Sequence, residues 1–244
     1  MRFQDKVVIV TGAGSGIGLA TALRFGAEGA RVVIAEFDEA KGKEAEAQLR
    51  SCGADAIALR CDVASEADAI RVVDAAFERW GRLDVIVNNA GVMIFKPIEA
   101  HSEADLLHVL QVDFLGAFRF VRQAFLKCRR GASIVNVASI HAIETTPLVS
   151  AYAAAKAALL SLTRSAAIEG RPKGIRVNAV LPGAIETTML RDNPNVRSGA
   201  EVLDPADIGS PDDIAAAVAF LASDDAAFVT GIDLRVDGGR LARL

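Results

Sequence analysis

The sequence predicts a doubly wound α/β fold, a parallel sheet of about seven strands flanked by helices on both faces. Six short β-branched runs lack sustained polar alternation, longer segments of helical period lie between them, and a glycine-rich turn joins the first run to the first such segment. Runs that are apolar on both faces suit strands covered from both sides, and parallel strands need right-handed crossovers to return to the same edge. An (α/β) barrel is the other arrangement that such alternation allows.

The strands fall at residues 7–11 (VVIVT), 31–35 (RVVIA), 55–60 (DAIALR), 84–88 (DVIVN), 133–138 (SIVNVA) and 175–181. Helical period covers residues 17–29, 39–51, 66–79, 103–128 and 151–169. Ser65 with Asp68, and Ser102 with Asp105, read as capping boxes. Ser210 before Pro211 reads as an N-cap followed by a first-turn proline. The interruption over residues 182–210 is rich in Pro, Gly and Asn and follows a strand's carboxyl end, which reads as a substrate lid around 184–209. No internal repeat or linker divides the chain, so residues 1–244 read as one domain.

At 52% hydrophobic and 24% charged, the composition excludes a disordered or fibrous chain. The net charge of −4 lacks the basic excess that would attract nucleic acid or an anionic membrane, and neither partner is expected. Cys52, Cys61 and Cys128 form no C-x-x-C pair, which fits buried thiols in a reducing compartment and no metal site. No run approaches the ~20 apolar residues that span a bilayer, so the expected location is cytoplasmic.

The first strand runs into Thr11-Gly12-Ala13-Gly14-Ser15-Gly16-Ile17-Gly18, and helical period begins at once. Such a turn brings backbone amides and a helix amino terminus onto a pyrophosphate. The strict G-x-G-x-x-G pattern fails at Ile17, and T-G-x-x-x-G-x-G fits instead. Eighteen residues past Gly18 the second strand ends at Glu36, which can accept hydrogen bonds from an adenosine ribose diol. A 2′-phosphate there would meet a like charge, and position 15 is Ser rather than a cation. NAD is therefore expected over NADP.

Further motifs follow in order: Asp62, Asn88-Asn89-Ala90-Gly91, Ser139, Tyr152-x-x-x-Lys156, Pro182-Gly183 and Val236-Asp237-Gly238-Gly239, with the serine thirteen residues before the tyrosine. In that order and spacing the chain resembles the short-chain dehydrogenase/reductase family, in its compact, ~250-residue form, over nearly its whole length. The resemblance implies a Rossmann-like fold and a nicotinamide cofactor held by Gly12, Ser15, Gly16, Ile17, Gly18, Glu36, Asp62, Val63, Asn89, Ala90, Gly91, Tyr152, Lys156, Pro182, Gly183, Ile185 and Thr187. It also implies that Ser139 bonds the substrate oxygen, that Lys156 holds the nicotinamide ribose, and that the protein is a homo-oligomer, with a tetramer favoured.

Four residues apart on a helix, Tyr152 and Lys156 share a face. A cation at ~4 Å in an effective dielectric of ~20 favours the phenolate by about 4 kcal/mol, drawing the tyrosine from ~10 toward neutral. A base so poised suits removal of an alcohol proton while hydride leaves the carbon.

One departure is Asp113, in Val112-Asp113-Phe114-Leu115-Gly116, where the family usually has an asparagine that holds a proton-relay water. Asp113 is kept as a catalytic position whose carboxylate alters the relay. Substrate contacts are expected at Ser139, His141, Met93 and Tyr152, within a largely apolar pocket that reaches Leu148 and the segment 185–190. Arg191 and Arg197 are further candidates for an anionic group. Val149 stands where 3-hydroxybutyrate enzymes of the family carry a lysine, so a small hydroxy acid is disfavoured. The leading function is an NAD-dependent oxidoreductase of a secondary alcohol or ketone. The alternatives are an NADPH-dependent 3-oxoacyl thioester reductase and a non-catalytic dinucleotide-binding protein.

Overall fold

A computed structural model describes residues 1–128 and 131–242; residues 129, 130, 243 and 244, within the span read as one domain, lie outside the described residues. The chain runs β1 (Val7–Thr11), α1 (Gly16–Ala27), β2 (Arg31–Glu36), α2 (Glu39–Ser51), β3 (Ala56–Arg60), α3 (Glu66–Trp80) and β4 (Val85–Asn88). It continues with α4 (Glu103–Leu110), α5 (Gly116–Lys127), β5 (Ala132–Val137), α6 (Ser150–Gly170) and β6 (Ile175–Pro182). Two short helices, α7 (Thr188–Arg191) and α8 (Pro194–Arg197), precede α9 (Pro211–Ala222) and β7 (Asp233–Val236).

All seven strands are parallel, in the order β3-β2-β1-β4-β5-β6-β7, so the sheet is open and the barrel is excluded. Successive residues of a strand point to opposite faces. Val8 and Val10 pack with Phe25 of α1 and Val218 of α9, while Val7 and Ile9 pack with Val72 of α3 and Phe120 of α5. Helices on both faces explain why these strands read as continuous apolar runs. The strand order reverses between β1 and β4, and ligands of such sheets bind outside the carboxyl ends at that switch point.

The long helix expected over 103–128 is interrupted: Gln111–Leu115 is a π-helical segment between α4 and α5. One wider turn leaves the apolar spacing on either side intact, and such bulges gather at functional sites. Ser102–Asp105 and Ser210–Asp213 are complete capping boxes. Ser65 caps only one way, because Asp68 Oδ2 accepts from the Asp62 amide at 2.9 Å instead of from Ser65. All three cysteines are free, and burial pushes the Cys61 and Cys128 thiols up to about 12. Those two remain protonated and unreactive.

Candidate active site

A cleft of about 640 Å³ opens at the switch point, within the range of small-molecule sites. Its floor is the glycine turn. Gly12 and Gly16 adopt φ of +61° and +53°, which side chains other than glycine rarely tolerate. A Cβ on Gly18 would lie 2.1 Å from the Gly12 carbonyl oxygen, so this glycine lets α1 start directly against the turn. The Ser15 side chain makes no capping bond, and the first turn of α1 carries no acidic residue. The helix amino terminus therefore faces the cleft with amides suited to a diphosphate. Asn89 locks the turn to β4: its Nδ2 donates to Thr11 O at 2.9 Å and Gly12 O at 3.0 Å, and its own amide donates to Thr11 Oγ1 at 3.0 Å.

Glu36 closes one end of the cleft, where its Oε2 accepts from the Gly14 amide at 2.8 Å. Asp62 and Val63 follow β3 along the wall. Two groups beside Glu36 escaped the sequence reading. Phe37 lines the cleft under the Arg60 guanidinium, 5.2 Å from its ring centre, and Lys41 packs by its Cβ near Gly14.

Ala90, Gly91, Ser139, Tyr152, Lys156, Pro182, Gly183, Ile185 and Thr187 line the remaining walls, so nearly every residue named from sequence meets here. Gly18 and Asp113 stand one layer behind. A buried relay fixes α6 to the sheet: Asn88 Nδ2 donates to Asn136 Oδ1, and Asn136 Nδ2 to Thr163 Oγ1, both at 2.8 Å. Tyr152 and Lys156 thus project from a rigid helix, with the Lys156 Nζ 5.5 Å from the tyrosine ring centre. Ser139 Oγ accepts from the His141 amide at 3.1 Å, which leaves its hydroxyl hydrogen free to donate into the cleft.

The Lys156 ammonium donates to Val137 O at 3.0 Å and lies 3.3 Å from Asp113 Oδ2. Asp113 Oδ1 accepts from the Val92 amide at 2.8 Å. Gly91 makes room for this pair, since a Cβ there would lie 2.9 Å from Asp113 Oδ2. Burial opposes the charge on Lys156, but Asp113 and Tyr152 outweigh it and hold the lysine above its ordinary value. Burial also pushes the Tyr152 phenol up; Lys156 draws it back, and Asp113 raises it further. The expectation of a phenol drawn toward neutral is corrected here, because desolvation and Asp113 together exceed the pull of Lys156.

At the substrate end, Met93 packs against the Tyr152 cluster, and Ile140, Met189 and Leu190 add apolar wall. His141 stacks edge-on to Tyr152 at 6.1 Å. Burial, assisted by Arg240 and opposed by Glu201, lowers its imidazole below the usual histidine value. Residues 142–148, Arg191 and Arg197 do not line the cleft, and Arg191 pairs with Glu186 instead. Glu201 and Arg240 do line it, joined by an ion pair, and sequence reasoning missed both. Among the described residues, no group of three or more His, Cys, Asp or Glu could hold a metal ion, and no helix is long and apolar enough to cross a membrane.

Residues 12–240 match a family model described as enoyl-(acyl carrier protein) reductase. The chain is 39% identical to 3β-hydroxysteroid dehydrogenase 1 of Eggerthella lenta, over 97% of this chain and 94% of that protein. It is 38% identical to cyclopentanol dehydrogenase of Comamonas testosteroni, over 99% of both. A solved 7α-hydroxysteroid dehydrogenase, complexed with NADH and 7-oxo glycochenodeoxycholic acid, superposes with a TM-score of 0.91 at 32% identity, covering 98% of this chain and 95% of that one.

Proposed function

The chain belongs to the short-chain dehydrogenase/reductase family of oxidoreductases, and from that premise we propose that it is an NAD-dependent dehydrogenase of secondary alcohols and the matching ketones. The carrying observation is that Ser139, Tyr152 and Lys156 share one cleft with the glycine turn and the amino terminus of α1. The nicotinamide, when bound, supplies the hydride acceptor or donor. Tyr152 is the general acid and base: its phenolate takes the carbinol proton in oxidation, and its phenol returns one in reduction. Ser139 donates a hydrogen bond to the reacting oxygen. Lys156, kept cationic by Asp113 and oriented by the Val137 carbonyl, stabilises the phenolate and is placed to hold the nicotinamide ribose.

The relatives named for cyclopentanol and hydroxysteroids, together with the apolar walls at Met93, Ile140, Met189 and Leu190, support an alicyclic substrate. The segment 184–209 acts as the lid: α7 and α8 lie in it, and the bridge between Ile185 and Gly209 closes its base. The family model's description keeps the NADPH-linked thioester reductase as the second reading.

NAD preference rests on Glu36 at the end of β2. The assay is the absorbance of the reduced nicotinamide with NAD or NADP and a panel of secondary alcohols. Charged hydrogen bonds are worth roughly 1.5–3 kcal/mol, so Glu36→Ala should lower kcat/KM with NAD at least ~10-fold while NADP holds or gains. A wild-type preference for NADP would overturn this reading.

A tetramer is supported by apolar surface on the helices that carry or adjoin the site and next to β7. Phe118 and Leu126 on α5, Ile168 on α6, and Phe228 are all exposed. A light-scattering mass equal to one chain would remove the assembly.

A further inference from the structure

The substrate end of the cleft holds a polar point that the alcohol–ketone chemistry does not use. Arg240, in the short turn after β7, forms an ion pair with Glu201 of the lid segment through Oε1. The other Glu201 oxygen, Oε2, is buried and has no hydrogen-bond partner among the described residues. The same holds for Nδ1 of His141, which lies between this pair and Tyr152 in the lining of the cleft. Glu201 Oε1 is the one acceptor the described residues offer the Arg240 guanidinium, so further N–H donors remain for a ligand. Buried acceptors without partners cost free energy, and their presence in a ligand cleft points to a group that satisfies them.

The geometry points to a second substrate contact: we propose that Glu201 and Arg240, with His141 beside them, bind a hydroxyl group of the substrate a few bonds from the reacting carbinol. This rests on the reading of the cleft as an alcohol dehydrogenase site. A hydroxyl is the group that can donate to the Glu201 carboxylate while accepting from Arg240. A carboxylate would meet Glu201's like charge, and a ketone would leave Oε2 without a donor. The substrate class is therefore a diol or hydroxyketone on a largely apolar, alicyclic frame.

The test compares kcat/KM for cyclohexane-1,3-diol and cyclohexane-1,4-diol with that for cyclohexanol, in wild type, Glu201→Gln and Arg240→Gln. It also measures binding of the same alcohols to the NADH-loaded protein by calorimetry. The expected result is a wild-type preference of at least ~10-fold for one diol, collapsing toward one in both variants. A ligand-free structural tie between lid and carboxyl-terminal segment would lower all three alcohols together and leave the ratio unmoved, which overturns the inference. So does a wild type with no diol preference in turnover or binding. Should Glu201→Gln fail to fold, Arg240→Gln reads the same ratio. Diol-selective binding that Glu201→Gln abolishes, with no turnover of any alcohol, would sink the proposed reaction and uphold this contact. Turnover with an unmoved ratio would do the reverse.

Discussion

Tyr152→Phe should lower kcat for NAD-linked alcohol oxidation by about 10²–10⁴-fold, the usual contribution of a positioned general base. One oxygen is removed, and the ring that packs with Val109, Ala151 and Ala155 is kept, so melting behaviour and dinucleotide binding should change far less than kcat. The wild-type rate should also rise toward alkaline pH. Oxidation needs the phenolate, and burial with Asp113 holds the phenol above its ordinary value despite Lys156. A mutant retaining most of its turnover would show that another group moves the proton.

Asp113 gives the second large effect. Its carboxylate and the Lys156 ammonium are almost wholly buried and 3.3 Å apart. Removing one partner of such a pair strands the other charge and costs roughly 3–5 kcal/mol. At about 2–4 °C per kcal/mol for a chain of this size, Asp113→Ala should melt some 6–20 °C lower. Asp113→Asn separates charge from shape. The carboxylate raises the Tyr152 phenol, so its loss lowers that value, and the limb of the oxidation profile moves to lower pH. Superimposable pH–rate curves for wild type and Asp113→Asn would contradict an electrostatic role.

These two residues mark where the sequence was legible and where it was not. The strands could be read because parallel, doubly covered strands leave an unbroken apolar signature, as in Val7–Thr11 and Ile175–Pro182. The site residues near the strand ends could be read because their spacing along the chain is itself the motif. What escaped was created by tertiary placement. The π-helical turn at Gln111–Leu115 leaves no mark in the apolar period, yet it lies in the segment that delivers Asp113 to Lys156, forty-three residues on. The depth of Tyr152's burial, which reverses the expected direction of its shift, cannot be judged from a helical spacing. Glu201 and Arg240 come from two irregular segments that only the folded chain brings together. Asp68 showed the converse, a correct capping signature whose second half is taken by a nearer amide.

The decisive experiment is isotopic. Incubating the protein with NAD and cyclopentanol or a cyclohexanediol deuterated at the carbinol carbon, then weighing the reduced dinucleotide by mass spectrometry, follows the hydride itself. The expected product carries one deuterium per reduced nicotinamide and is absent with Tyr152→Phe on the same timescale. A reduced dinucleotide without deuterium, or no reduction with any secondary alcohol while NAD binds, would contradict the assignment of this cleft to direct hydride transfer from an alcohol.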